Sequence, residues 1–121
     1  MPVSLVVDDE AMVRKYVCTI LEREHFRTLE AEDGDHAPRI VHELSGGVDL
    51  IVSDIEMPNG DGLTLARAVK KSFPAVPVIL ISGNRKPDTD FEFVEKPFPP
   101  AVLVSAVRRR FASRAVIKLA D

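Results

Sequence analysis

Asp8, Asp9 and Glu10 form an acidic run directly after the apolar segment Leu5-Val6-Val7. Asp54 closes a second apolar segment that begins at Asp49, and Ser82 closes a third that begins at Pro77. Lys96 follows a shorter one, Phe91 to Val94, and is itself followed by Pro97. Carboxylates held close together repel and raise one another's pKa values. A hard divalent cation relieves that repulsion. Mg²⁺ suits the role, because it takes oxygen ligands: one or two carboxylates, with waters and phosphate oxygens completing the shell. Asp54 could then attack phosphorus as a carboxylate nucleophile. It needs no general base, since a carboxyl with the ordinary pKa of about 3.9 is ionised at neutral pH. The charge on a transferring phosphoryl group must be met by preorganised cations and donors. Mg²⁺, the Lys96 ammonium and the Ser82 hydroxyl are groups of that kind.

These residues can act together only if strands deliver them to one edge. Continuous apolar runs, which mark strands buried on both faces, predict strands over Ser4 to Asp8, Asp49 to Asp54 and Pro77 to Ser82. Weaker strands are predicted over Phe26 to Ala31 and Phe91 to Val94. Between them the period changes. From Glu10 to Glu24 the apolar residues Val13, Tyr16, Val17, Ile20 and Leu21 share one helical face. A second helix is predicted from about Asp35, with Pro38 in its first turns, to just before Gly46-Gly47. A third runs from about Gly62 to Phe73, ahead of Pro74, and a last one from about Pro99 to Phe111. The stretch Ala115 to Asp121 is assigned to no element. Alternating strands and helices imply a parallel sheet covered on both faces, with right-handed crossovers. Ligands of such sheets bind at the carboxyl ends of the strands, where the polar residues above lie.

Composition narrows the function. The chain has 121 residues, 45% of them hydrophobic and 29% charged, which suits one globular domain spanning residues 1–121. A formal charge of −3 opposes nucleic-acid binding, which usually needs a basic face. A single cysteine, Cys18, cannot form an internal disulfide, and the start Met1-Pro2-Val3-Ser4 is unlike a signal peptide. No apolar run approaches the roughly 20 residues of a membrane helix. A cytoplasmic protein without membrane contact is therefore expected.

Four segments carry a resemblance. Leu5-Val6-Val7-Asp8-Asp9-Glu10, Asp54-Ile55-Glu56-Met57-Pro58-Asn59-Gly60-Asp61-Gly62, Ile81-Ser82-Gly83 and Val94-Glu95-Lys96-Pro97-Phe98 together resemble the receiver domains of two-component response regulators, in the family's order and over nearly the whole chain. The resemblance implies a flavodoxin-like, doubly wound α/β fold with a five-stranded parallel sheet of order 2-1-3-4-5. It implies a phosphorelay switch that accepts a phosphoryl group on Asp54. The donor would be a phosphohistidine on a sensor histidine kinase or a histidine phosphotransfer protein, and a downstream protein would read the result. Asp9 and Asp54 match the side-chain Mg²⁺ ligands, Asp8 the acidic neighbour acting through water, and the main-chain carbonyl of Glu56 the third protein ligand. Lys96 matches the phosphate-pairing lysine, before a bond to Pro97 that is usually cis. Ser82 matches the hydroxyl that follows the phosphoryl group, and Phe93 the aromatic switch position. Such a domain catalyses only its own phosphotransfer and dephosphorylation.

Other readings stand beside this one. Asp8-Asp9-Glu10 could simply favour a helix N-terminus. Phe93 could be plain core filling, and Arg108-Arg109-Arg110 is a solvated helix face. His25, His36 and His42 show no metal-ligand pattern, and Cys18 belongs to the packed face of the first helix. A pseudo-receiver that binds proteins without phosphorylation is one alternative. A phosphatase using Glu56 as a second acid, two residues after Asp54, is another, although 121 residues leave no obvious cap.

One departure from the family is expected. Between Ser82 and Phe91, where receivers place their fourth helix, lie eight residues with no apolar side chain except Pro87. Eight extended residues reach roughly 26 Å, enough to return along a strand of about 17 Å. The fourth helix is therefore predicted to be absent or a single turn. The sheet face that carries Phe91 and Phe93 should be thinly covered, as interaction sites often are.

Overall fold

The computed structural model describes the backbone of residues 1–45 and 47–120, and side chains as far as Phe111. The strands are β1 (Val3–Val7), β2 (Arg27–Ala31), β3 (Leu50–Asp54), β4 (Val78–Ser82) and β5 (Glu92–Glu95). The helices are α1 (Ala11–Arg23), α2 (His36–Glu43), α3 (Gly62–Ser72) and α4 (Pro100–Ala120). All pairings are parallel, and the sheet order is β2-β1-β3-β4-β5. The order predicted from the resemblance is the order observed.

Alternation along the strands sorts the core into two halves. Val6, Leu50, Val52, Ile79, Ile81 and Val94 face α1 and α4, where Val17, Leu21, Leu103 and Val107 meet them. Leu5, Val7, Ile51, Val78 and Leu80 face α2 and α3, against Val41, Leu65 and Val69. β3 and β4 are buried along their whole length, which is why they read as unbroken apolar runs. Tyr16, placed by period on the inner face of α1, is 41% exposed, and its hydroxyl donates to the Phe98 carbonyl at 2.8 Å.

One element differs from expectation. The last helix does not stop near Phe111 but continues to Ala120. Residues 111–120 contain no Gly or Pro, and Ala, Arg, Lys and Leu sustain a helix well. Ala115 to Ala120, assigned to no element above, thus lie in α4, while Asp121 and Gly46 lie outside the described residues. The β4–β5 connection is as expected: residues 83–91 join the two strands without a helix. With no apolar face to bury, that segment gains nothing from helical packing. Phe91 and Phe93 join the α2–α3 half of the core but stay only half-buried.

Candidate functional site

The carboxyl ends of β1, β3 and β4, with the residue just past β5, form one edge. β3 ends at Asp54, beside Ile81 of β4, and Ser82 pairs with Glu95. β1 pairs with β3 through Val7 and Ser53, so Asp8 emerges beside Asp54. Carboxylate oxygens of Asp8, Asp9 and Asp54 all lie within 4.8 Å of one another. Asp8 and Asp54 are buried, and Asp9 is exposed.

Lys96 reaches into this group. Its Nζ lies 3.2 Å from Asp8 Oδ2, 3.2 Å from Asp54 Oδ1 and 3.8 Å from Glu10 Oε1. The Lys96–Pro97 bond is cis, as the resemblance implied. Burial disfavours the Lys96 ammonium, but Asp8 and Asp54 more than offset this and hold its pKa above the ordinary lysine value. Asp54 moves unlike an ordinary surface aspartate. Burial first, then the charge of Asp8, push its carboxyl up to about 6, against the opposing pull of Lys96. The value of about 3.9 assumed from sequence is therefore corrected upward, because burial and the neighbouring Asp8 charge together outweigh the pull of Lys96.

Asp8 Oδ2 and Asp54 Oδ1 are buried and accept no hydrogen bond among the described residues, although Lys96 stands near both. Buried carboxylate oxygens with unused lone pairs, next to a third carboxylate open to solvent, fit a hard cation that keeps part of its water shell. The residues present are therefore suited to Mg²⁺.

Backbone around the site is fixed by the loop after β3. Gly60 has φ +105°, a conformation side chains disfavour. Gly62 opens α3 directly against β3, where a Cβ would run into the Asp54 carbonyl and the Ser53 side chain. The Asp61 carboxylate caps α3 by accepting from the Thr64 amide at 2.7 Å. The turn chemistry read from this segment thus places Asp54 and α3 in close register.

Ser82 and Glu56 are joined in a way the sequence did not reveal. The Ser82 hydroxyl donates to Glu56 Oε1 at 2.7 Å and accepts from the Asn84 amide at 2.9 Å. Phe93 lies on β5, half-buried on the α3 side of the sheet and away from the α1–α4 core. A second feature missed from sequence is Arg14 on α1. It donates to the Asp8 carbonyl at 2.8 Å and to Glu30 Oε1 at 2.8 Å, so it holds the main chain of the acidic turn. The signal was weak: Glu30 becomes its partner only through the pairing of β2 with β1.

Residues 4–108 match the family described as response regulator receiver domain. The chain is 37% identical over 112 residues to the sensor kinase CckA of Brucella abortus (strain 2308), which covers 86% of this chain and 12% of that protein. It therefore spans a small part of that relative's length. It superposes with a TM-score of 0.87, at 25% identity, on a response regulator receiver domain from Clostridium thermocellum, covering 97% of this chain and 99% of the other. TrrA of Thermotoga maritima, solved in complex with Mg²⁺ and BeF, gives a TM-score of 0.80 at 31% identity, covering 91% of this chain and 99% of that one. Among the described residues no helix is long and apolar enough to cross a membrane. Sequence match, sheet order and the clustering of acids at the strand ends agree: this chain belongs to the response regulator receiver domain family.

Proposed function

We propose that the chain is a phosphorylation-dependent switch that accepts a phosphoryl group on Asp54. The observation that carries this reading is the meeting of Asp8, Asp9, Asp54 and Lys96 at one sheet edge. An Asp54 carboxylate oxygen forms a bond to phosphorus as the donor's bond to phosphorus breaks. With a phosphohistidine donor that is a P–N bond, and the leaving imidazole takes up a proton. Asp9 and Asp54, with Asp8 through water and the Glu56 carbonyl, would hold Mg²⁺, which supplies charge neutralisation for the phosphoryl oxygens. The Mg²⁺ and BeF complex of TrrA supports that assignment by analogy. Lys96, already 3.2 Å from Asp54, pairs with the added phosphoryl oxygens. Ser82 would leave Glu56 to donate to them, and Phe93 on β5 would be the aromatic that follows. The donor is a sensor histidine kinase or a histidine phosphotransfer protein, and the domain turns over no external substrate.

Intact mass after incubation with acetyl phosphate and Mg²⁺ tests this. One phosphoryl adduct is expected on the wild type, with none when Mg²⁺ is chelated or in Asp54→Asn. Lys96→Ala should stay folded and lose most of the adduct. A wild type that takes up no phosphoryl group would favour the unphosphorylated binding module. Full labelling of Asp54→Asn would remove Asp54 from its role.

A further inference from the structure

Because residues 83–91 form no helix, α3 has no helical neighbour on its β5 side. A cleft of about 440 Å³ opens there, lined by Arg67, Lys70, Lys71, Thr89, Asp90 and Phe91. Arg67, Lys70 and Lys71 are spaced three and four residues apart and share one exposed face of α3. Among the described residues no carboxylate forms an ion pair with any of the three. Lys70 Nζ stands 5.6 Å from the centroid of the Phe91 ring. Phe91 and Phe93 continue the apolar surface of the sheet but are only half-buried. The cleft thus pairs the Phe91 ring with a rim of cations that, among the described residues, have no carboxylate ion pair, in a chain whose net charge is −3.

We propose that this cleft docks an acidic amphipathic helix of a partner protein. A parallel crossover ordinarily lays a helix over the sheet at this place, and a helix with its side chains is about 10 Å across. The apolar side of the incoming helix rests on Phe91 and Phe93. Its carboxylates meet Arg67, Lys70 and Lys71. A second copy of this chain fits poorly, because its helices carry Glu22 and Glu43 as their only acidic residues. A phosphate backbone fits poorly too: Asp90 lies on the rim and the chain carries a net charge of −3.

The test uses the full ¹⁵N-labelled chain and a capped helical peptide of about 15 residues. The peptide carries leucines on one face and glutamates beside them; a second peptide carries lysines in place of the glutamates. Saturable shifts are expected at residues 67, 70, 71 and 89–93 with the glutamate peptide alone. Binding should weaken at least about fivefold between about 0.01 M and 1 M salt, and similarly in the Lys70→Glu, Lys71→Glu double variant. Both lysines are exposed, so that variant should keep the wild-type circular dichroism. Absence of saturable shifts, or equal binding of the lysine peptide, overturns the proposal. So does a short duplex DNA that binds the same residues more tightly. Concentration-dependent dimers that bury the cleft would give it to a second copy instead.

Discussion

At the scale of single residues, the site is governed by one ammonium serving two buried carboxylates. Asp54 is the group left short, with its carboxyl pushed up to about 6. The sign for stability is the reverse of the usual aspartate. An unfolded Asp54 titrates near its ordinary value of 3.8 and the folded one near 6, so between these the folded state binds more protons. Without metal, the contribution of Asp54 is therefore most favourable below about pH 4 and is lost as pH rises through 6. Asp54→Asn should remove that loss and stabilise the protein at pH 7 by on the order of 3 kcal/mol. Urea denaturation of both proteins at pH 4 and pH 7 checks this; a variant less stable than wild type at pH 7 would contradict the assigned strain. The identities of these acids were legible in the sequence because each closes an apolar run. The shifted pKa was not, since it depends on burial and on the distance to Asp8. The Arg14–Glu30 and Ser82–Glu56 contacts were hidden for a related reason: their partners are 16 and 26 residues apart and meet only through the fold.

At the scale of elements, most of the fold could be read from period and punctuation. β3 and β4 are continuous apolar runs, and α3 starts at Gly62 and ends ahead of Pro74. The helix-free connection between β4 and β5 was legible as well, because residues 83–90 have nothing to bury. The extent of α4 was not, because its continuation past Phe111 lacks a stop signal and rests on propensity alone. The junction of β3 and α3 is the element-scale feature most exposed to a single change. A methyl group at position 62 would meet the Asp54 carbonyl, which is backbone and cannot swing away. Gly62→Ala should cost about 1–3 kcal/mol, although alanine is the better helix former. Equilibrium unfolding by urea reads the cost, and an unchanged midpoint would mean that α3 slides without penalty.

At the scale of the whole molecule, a metal bound at the acidic cluster would be linked to folding. A cation that binds only the folded acidic cluster stabilises it by about 2.7 kcal/mol at a concentration 100 times its dissociation constant. Mg²⁺ should therefore raise the melting temperature in a dose-dependent way. Asp9→Asn should abolish most of that rise and leave the metal-free melting temperature nearly unchanged, because Asp9 is exposed. A rise equal to that of the wild type would exclude Asp9 as a ligand.

The helix-free connection also alters the order in which the sheet can assemble. Ile79 pairs with Glu92, 13 residues away, whereas Ile51 pairs with Val78 across 27 residues and Ser4 with Leu50 across 46. Halving a loop lowers its closure entropy by about 0.6 kcal/mol. The β4–β5 pair thus closes the shortest circuit in the sheet, and short circuits form early in folding. An edge strand whose α3 side is only half covered is thus also the one that surrenders the least chain freedom to take its place.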